Sequence, residues 1–232
     1  MWNLADRLQA TWQVHDVYPN RIVAVRYQAD EAFAVAHPEP ARQRSGPLVQ
    51  HSAFKVDAIT LEHGTPSLGY LVQTTPRRNV DPERLSQLGL APGAWLQRLK
   101  YPQPGDDTLE LHGRTWLLSE LRQHVLFETP GESLAYLTDF YLAGEQFDQL
   151  ADAIRGCDTL ICESQYCAAD AELARRNFHM TSLMAAQLAE AAQAGRLVLF
   201  HMSERYTASE RTLILHEARG VFARTYLAPG WD

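Results

Sequence analysis

Five polar side chains stand where this sequence could do chemistry: His63, Asp139, Glu163, His179 and His201. Four of them close apolar runs that read as strands. His63 follows the run 56–62, Asp139 follows 134–138, Glu163 follows 159–162, and His201 follows 197–200. His179 lies at the start of a helical pattern. Two imidazoles and a carboxylate arriving from separate strand ends are suitable donors for a zinc-like ion, which takes nitrogen and oxygen ligands at about 2.0 to 2.2 Å. Each residue also has a plainer reading. A single His at a strand end commonly just hydrogen-bonds within a turn, and Asp139 or Glu163 could cap the turn that follows. Ser203, Glu204, Arg205 and Tyr206 could be an exposed loop held by a weak ion pair. Cys157, Cys162 and Cys167 recur at five-residue spacing without the paired spacing of a zinc site, so they read as structural thiols.

Ligands so far apart in sequence meet only through the fold. Trp2, Leu4, Leu8 and Trp12 are spaced for a short amphipathic helix over 2–12. Alternation predicts strands at 21–27 and 54–61, and the apolar run 68–74 predicts a third, paired with its predecessor as a hairpin that carries His63 at its tip. The Pro- and Gly-rich stretch 75–132, with short helical patterns at 81–88 and 117–123, reads as an insertion. From 133 onward strands at 133–138, 159–162 and 196–200 alternate with helices at 145–155, 179–194 and 209–222. This alternation predicts an α/β layered architecture, in which ligands bind in the crevice outside the carboxyl ends of the strands.

The chain has 232 residues, 46% hydrophobic and 21% charged, which suits one large globular domain. Its 21 basic and 28 acidic residues give a formal charge of −7, so any nucleic-acid contact must come from a local basic patch. An odd number of cysteines points to a reducing, cytoplasmic compartment. There is no apolar run of membrane-spanning length and no secretory signal pattern at the amino terminus.

Taken in order, several segments resemble ribonuclease Z, a metallo-β-lactamase-fold enzyme that trims tRNA 3′ ends. Leu61-Glu62-His63-Gly64 with Gly69-Tyr70 resembles the family's Leu-x-His then Gly-Tyr strand pair. Segment 90–100, ending in Leu99-Lys100, is similar to the region from which its tRNA-gripping arm emerges. Thr138-Asp139-Phe140 is similar to its Gly-Asp-Thr ligand segment, Cys162-Glu163-Ser164 to His-Glu-Ala-Thr, and His179-Met180-Thr181 to His-Ser-Thr. The segment 199–206 resembles Leu-x-His-x-Ser-x-Arg-Tyr. An ordered set over about residues 55–222 is far more specific than any one piece.

The resemblance implies an αββα sandwich, incomplete at the amino terminus, forming one domain over 1–232 with an arm at about 75–132. It implies that His63 binds one metal, that Asp139 bridges two, and that His201 binds the second, with two Zn2+ expected and Mn2+ possible. It implies that His179, oriented by Glu163, protonates the leaving oxygen, and that Arg205, assisted by Ser203, holds a substrate phosphate. Precursor tRNA is the implied substrate and a homodimer the implied assembly, with no membrane partner. Arg77, Arg78, Arg84, Arg98 and Lys100 are candidates for a basic groove, with Arg175 and Arg176 nearer the site.

The departure from the family is a missing His-x-His-x-Asp-His motif, which supplies most of the ligands to both metals. Three ligands cannot serve two metals, so this chain is expected to hold metal partially or not at all. Either the sequence begins at an internal Met or the protein is a natural remnant; the retained polar set favours the first. Missing strands would leave an exposed sheet edge and an apolar face, making the chain sticky or dimeric. Two alternatives stay open: a metallohydrolase of a small phosphodiester or ester, favoured by the acidic charge, and a non-catalytic module built on the fold.

Overall fold

A computed structural model describes residues 9–231. They divide into two compact units, one formed by the chain up to Gln73 together with the chain from Ser133, the other by Thr74–Glu132.

In the first unit β1 (Thr11–Val17) and β2 (Arg21–Gln28) form an antiparallel hairpin. β2 also pairs with two short strands, β3 (His37–Pro38) and β4 (Arg42–Gln43). β2 buries Ile22 and Ala24 on one face and leaves Val23 and Val25 half-buried on the other, while Arg26, on the face of Ile22 and Ala24, is exposed. The helix predicted over 2–12 lies mostly outside the described residues, and its last two positions, Thr11 and Trp12, open β1 instead. The Trp12 ring stacks on Phe33 with centroids 4.8 Å apart, so an aromatic spaced like part of a helix face serves a strand and its neighbouring turn.

β5 (Val49–Gln50), β6 (Phe54–Glu62) and β7 (Pro66–Thr74) begin the main sheet, with the turn 63–65 joining the last two. At Gly64 the backbone takes φ +70, which glycine adopts without strain. At Gly69 a Cβ would fall 2.6 Å from Leu137 Cδ2, so the glycine lets β7 approach its neighbour closely.

The second unit contains β8 (Arg77–Val80), α1 (Pro82–Gln87), α2 (Trp95–Lys100), β9 (Thr108–Leu111), β10 (Arg114–Leu117), α3 (Leu118–Val125) and β11 (Leu126–Thr129). Asp81 caps α1 by accepting from the Glu83 and Arg84 N–H groups, and Pro82 sits in its first turn. This unit has its own apolar cluster, including Leu85, Leu99, Leu118, Leu121 and Val125.

The chain re-enters the first unit at β12 (Ser133–Leu137) and continues through α4 (Glu145–Ala153), β13 (Thr159–Glu163), α5 (Ala171–Arg176), α6 (Ser182–Ala191), β14 (Arg196–Phe200), α7 (Ala208–Arg219) and β15 (Thr225–Leu227). The seven-stranded order is β15-β14-β13-β12-β7-β6-β5, with β12 to β15 parallel and β7 antiparallel to β12. Interior parallel strands are covered on both faces, which is why Thr159–Glu163 is buried almost throughout. Both outer strands are short, which limits edge pairing. α6 packs against α4, α7, β13 and β14, and its fully buried Ala185, Ala186 and Ala189 let these layers come close. Thr181 caps α6 by accepting from Met184 N–H at 3.1 Å, so the helix starts at Ser182 and His179 lies before it. α7 starts on a capping box between Thr207 and Glu210. No helix among the described residues is long and apolar enough to cross a membrane.

Candidate functional site

β6, β12, β13 and β14 end at one edge of the sheet, and the residues that follow them meet there. Glu163 ends β13 with no exposed surface. A buried carboxylate is tolerated only when its oxygens are engaged, and these are. Oε1 accepts from the Phe140 N–H at 2.6 Å, and Oε2 lies 2.7 Å from His179 Nδ1. Burial alone would raise the Glu163 pKa, but the His179 and His201 imidazoles and the Phe140 N–H together hold it below the ordinary carboxylate value.

His179 reaches this carboxylate from the segment between α5 and α6. Its own N–H donates to the Ala174 carbonyl at 2.9 Å, and it is followed by a bridge between Tyr166 and Thr181. The His63 and His179 rings are 4.5 Å apart at their centroids, and those of His179 and His201 are 5.3 Å apart. His63 Nδ1 lies 2.8 Å from the Phe178 carbonyl, which fixes the ring and leaves Nε2 for a ligand. The Phe178 ring packs over Gly64, where an added Cβ would approach it to 3.1 Å.

His201 Nδ1 lies 3.5 Å from Asp139 Oδ1 and 3.7 Å from Glu163 Oε2. It is buried and makes no hydrogen bond among the described residues. The Glu163 carboxylate beside it raises the His201 pKa against the opposing effect of burial, and Asp139 adds to the rise. Asp139, Phe178 and His201 all have positive φ, at 52, 59 and 55°. Non-glycine residues held there store strain, and such residues cluster at functional sites. The Ser67 hydroxyl donates to the Asp139 carbonyl at 2.7 Å and pins that turn.

Among the described residues, two sets of ligand atoms lie within 4.8 Å of one another: His63, Asp139 and His179, and Glu163, His179 and His201. His63, Asp139 and His201 thus come to one locality, but His179 is what both sets share. An orphaned buried imidazole nitrogen beside two carboxylates, and a second imidazole braced by a backbone carbonyl, are the donor chemistry a zinc-type ion takes. The residues fit one such ion.

Ser203 and Arg205 lie on the loop after β14, where other residues engage them. The Ser203 N–H donates to the Gln165 carbonyl at 3.0 Å, and Arg205 Nη1 lies 3.7 Å from Asp170 Oδ2. Arg175 pairs with Glu172 at 2.5 Å. In the second unit Arg78 pairs with Glu128 at 3.1 Å, Arg84 with Asp81 at 3.2 Å and Arg98 with Asp106 at 2.6 Å. Sequence reasoning missed the Phe140 N–H, the Phe178 carbonyl and Asp170. Backbone groups leave no signature in residue type, whereas Asp170, three residues after Cys167, was visible as an acidic side chain near the site.

No family model matches the chain. A Ribonuclease Z of Deinococcus radiodurans is 41% identical over 230 residues, covering 99% of this chain and 69% of its own length. A Ribonuclease Z of Synechococcus sp. strain CC9605 is 32% identical over 202 residues, covering 84% of this chain and 60% of its own length. Among solved structures, the short form of human tRNase Z is 20% identical with a TM-score of 0.44, covering 80% of this chain and 44% of that one. The chain therefore spans somewhat more than half to about two thirds of its curated relatives' length. On 41% identity to the Deinococcus protein over 99% of this chain and 69% of that protein, the chain belongs to the ribonuclease Z family.

Proposed function

We propose that this chain carries the metal-binding and proton-transfer groups of a zinc-dependent phosphodiesterase that cuts precursor tRNA at its 3′ end. The observation that supports this most is the 2.7 Å contact between Glu163 and His179, at a strand-end crevice whose other polar groups are His63, Asp139 and His201. The relatives are named as ribonucleases, which supports RNA as the substrate class, and precursor tRNA is what the family resemblance implies. The odd cysteine count supports a cytoplasmic location, and a homodimer is the assembly that the family resemblance implies.

His63, Asp139 and His201 would hold the metal. When bound, a zinc-type ion supplies Lewis-acid polarisation of a phosphoryl oxygen and a lowered pKa for water. With Glu163 ionised, the His179 Nδ1–H donates to Oε2, which sets the tautomer and leaves Nε2 as the bare nitrogen that takes up a proton before delivering it. Glu163 also stabilises the imidazolium, from which Nε2 would give its proton to the oxygen that leaves phosphorus. Because Oε1 is fixed by the Phe140 N–H, the carboxylate cannot rotate away as that proton moves. Arg205 would bind a non-bridging phosphate oxygen with its planar fork.

Metal per chain, for zinc and manganese, is measured by elemental analysis beside a His63→Ala, Asp139→Ala, His201→Ala triple variant, together with 3′ trailer release from precursor tRNA. Bound metal that the triple variant loses, and cleavage that falls about 10²- to 10⁴-fold in His179→Ala, are the expected results. Affinity for tRNA should fall steeply with salt. A chain that takes up no metal and releases no trailer overturns the proposal, and turnover of a small diester without salt-dependent tRNA binding replaces its substrate.

A further inference from the structure

Arg205 is tethered at its guanidinium end. Its Nη1 lies 3.7 Å from Asp170 Oδ2, with both side chains partly exposed. Asp170 is itself fixed from several sides. The Tyr206 hydroxyl donates to the same Oδ2, and the Asp170 N–H donates to the Cys167 carbonyl at 3.1 Å. The Tyr206 oxygen also accepts from the Cys167 N–H at 3.2 Å. The loop that carries Asp170 is tied down further by Glu217 of α7, whose Oε2 accepts from the Ala168 N–H at 3.1 Å and from the Ser182 hydroxyl.

Tyr206 is buried, and burial together with its bond to Asp170 raises the pKa of its hydroxyl, which keeps it a proton donor through the neutral range. The acceptor is therefore rigid, while the arginine is the long, rotamer-rich partner. Ordering such a side chain upon binding carries an entropic cost. A partly exposed ion pair contributes little to the fold. The consequence of the pair is thus for where the guanidinium sits.

We propose that Asp170, held by the Tyr206 hydroxyl, is a positioning residue for Arg205, ordering its guanidinium so that the remaining N–H donors take a phosphate oxygen of the substrate. This rests on the reading of Arg205 as a phosphate ligand. The fork of the guanidinium has five N–H donors, enough to keep the Asp170 contact and still bind phosphate.

The test is a double-variant cycle on the full chain with precursor tRNA. Asp170→Asn, which keeps an acceptor for Tyr206 and removes the charge that faces Arg205, is measured alone and in an Arg205→Ala background, with Tyr206→Phe in parallel. Asp170→Asn should raise KM about 10-fold, with kcat changed less than about 2-fold, the pattern of lost uniform binding. In the Arg205→Ala background the same change should add less than about 2-fold, since the two residues act as one unit. Melting temperatures of the Asp170→Asn and parent chains should agree within about 2 °C. An equal rise in KM in both backgrounds overturns the positioning role while leaving Arg205 as a ligand. An Arg205→Ala variant that matches the parent overturns both readings. If the unsubstituted chain releases no trailer, the same cycle is read as the Kd for precursor tRNA, and no binding at all overturns both.

Discussion

A carboxylate with no exposed surface, such as Glu163, stays ionised only while its partners outweigh the cost of burying it. Removing the charge and removing the side chain should therefore differ. Glu163→Gln keeps an acceptor for the Phe140 N–H and turns an amide donor toward His179 Nδ1, so a neutral hydrogen bond forms there with that nitrogen as acceptor, a loss of about 1 kcal/mol. Glu163→Ala strands the Phe140 N–H and the His179 Nδ1 and should cost about 3 kcal/mol. Urea unfolding with a chelator present reads both, and equal midpoints for the two variants would mean that the buried bonds contribute nothing. At this scale the site was largely legible, because His63, Asp139, Glu163 and His201 each follow an apolar run, and chemistry in an α/β sheet collects at strand ends. What holds them was not legible. The positive φ of Asp139 and His201 and the Phe178 carbonyl on His63 are properties of backbone, which residue types do not announce.

Between elements, the parallel pair β12 and β13 is pinned at its start by Asp158. Its Oδ2 accepts from the Ser133 N–H at 2.7 Å and from the Ser133 hydroxyl at 2.8 Å, and its own N–H donates back to Ser133 Oγ at 3.0 Å. The Ser133 N–H, helped by the hydroxyl, holds the Asp158 pKa below its ordinary value. A depressed folded pKa contributes stability above the unfolded value of about 3.9 and loses it as pH falls through the folded one. Asp158→Asn should thus lower stability at pH 7 by less than about 1 kcal/mol, the group being solvent-screened. The gap should begin to narrow below about pH 4 and close once pH falls below the depressed folded value, where the aspartate is protonated too. Denaturant midpoints at pH 7 and pH 3 check this, and a gap that stays constant contradicts it. A second element-level expectation concerns Gly69→Ala, whose Cβ would stand 2.6 Å from Leu137 Cδ2 and 3.2 Å from the Tyr136 carbonyl. Overpacking of that kind costs about 1 to 3 kcal/mol, read as a lower thermal midpoint. From Ser133 onward β12, β13, β14 and the longer helices α4, α6 and α7 were readable because interior parallel strands are continuous apolar runs and the helices between them are periodic, whereas α5 and the three-residue edge strand β15 are too short to show a period. In the first 50 residues only β2 was readable, by its alternation over 21–27, since two-residue strands such as β3 and β4 are too short to show any period.

For the whole molecule, the two units have separate apolar clusters, one around Leu137, Leu160, Leu188 and Leu197, the other around Leu85, Leu99 and Leu121. Gln73 and Ser133, where the chain leaves and re-enters the first unit, are direct partners across the antiparallel pair of β7 and β12. Such partners are spaced for a two-residue hairpin. Replacing Thr74–Glu132 by Asn-Gly should therefore leave the first unit folded. Its thiols report on this directly. Cys157 and Cys162 are buried, and burial pushes the Cys157 pKa up to about 11 and that of Cys162 well above its ordinary value, whereas Cys167 is partly exposed. A thiol reagent should label one cysteine rapidly and the other two only on unfolding, in the parent and the shortened chain alike. Metal uptake should persist, because every donor named above lies in the first unit. On the proposed function, affinity for tRNA should fall and its salt dependence flatten, since the shortened chain lacks the candidate basic groove of Arg77, Arg78, Arg84, Arg98 and Lys100. Rapid labelling of all three cysteines in the shortened chain would show that Thr74–Glu132 is required for the first unit's core. An unchanged salt slope would remove those five side chains from the tRNA interface.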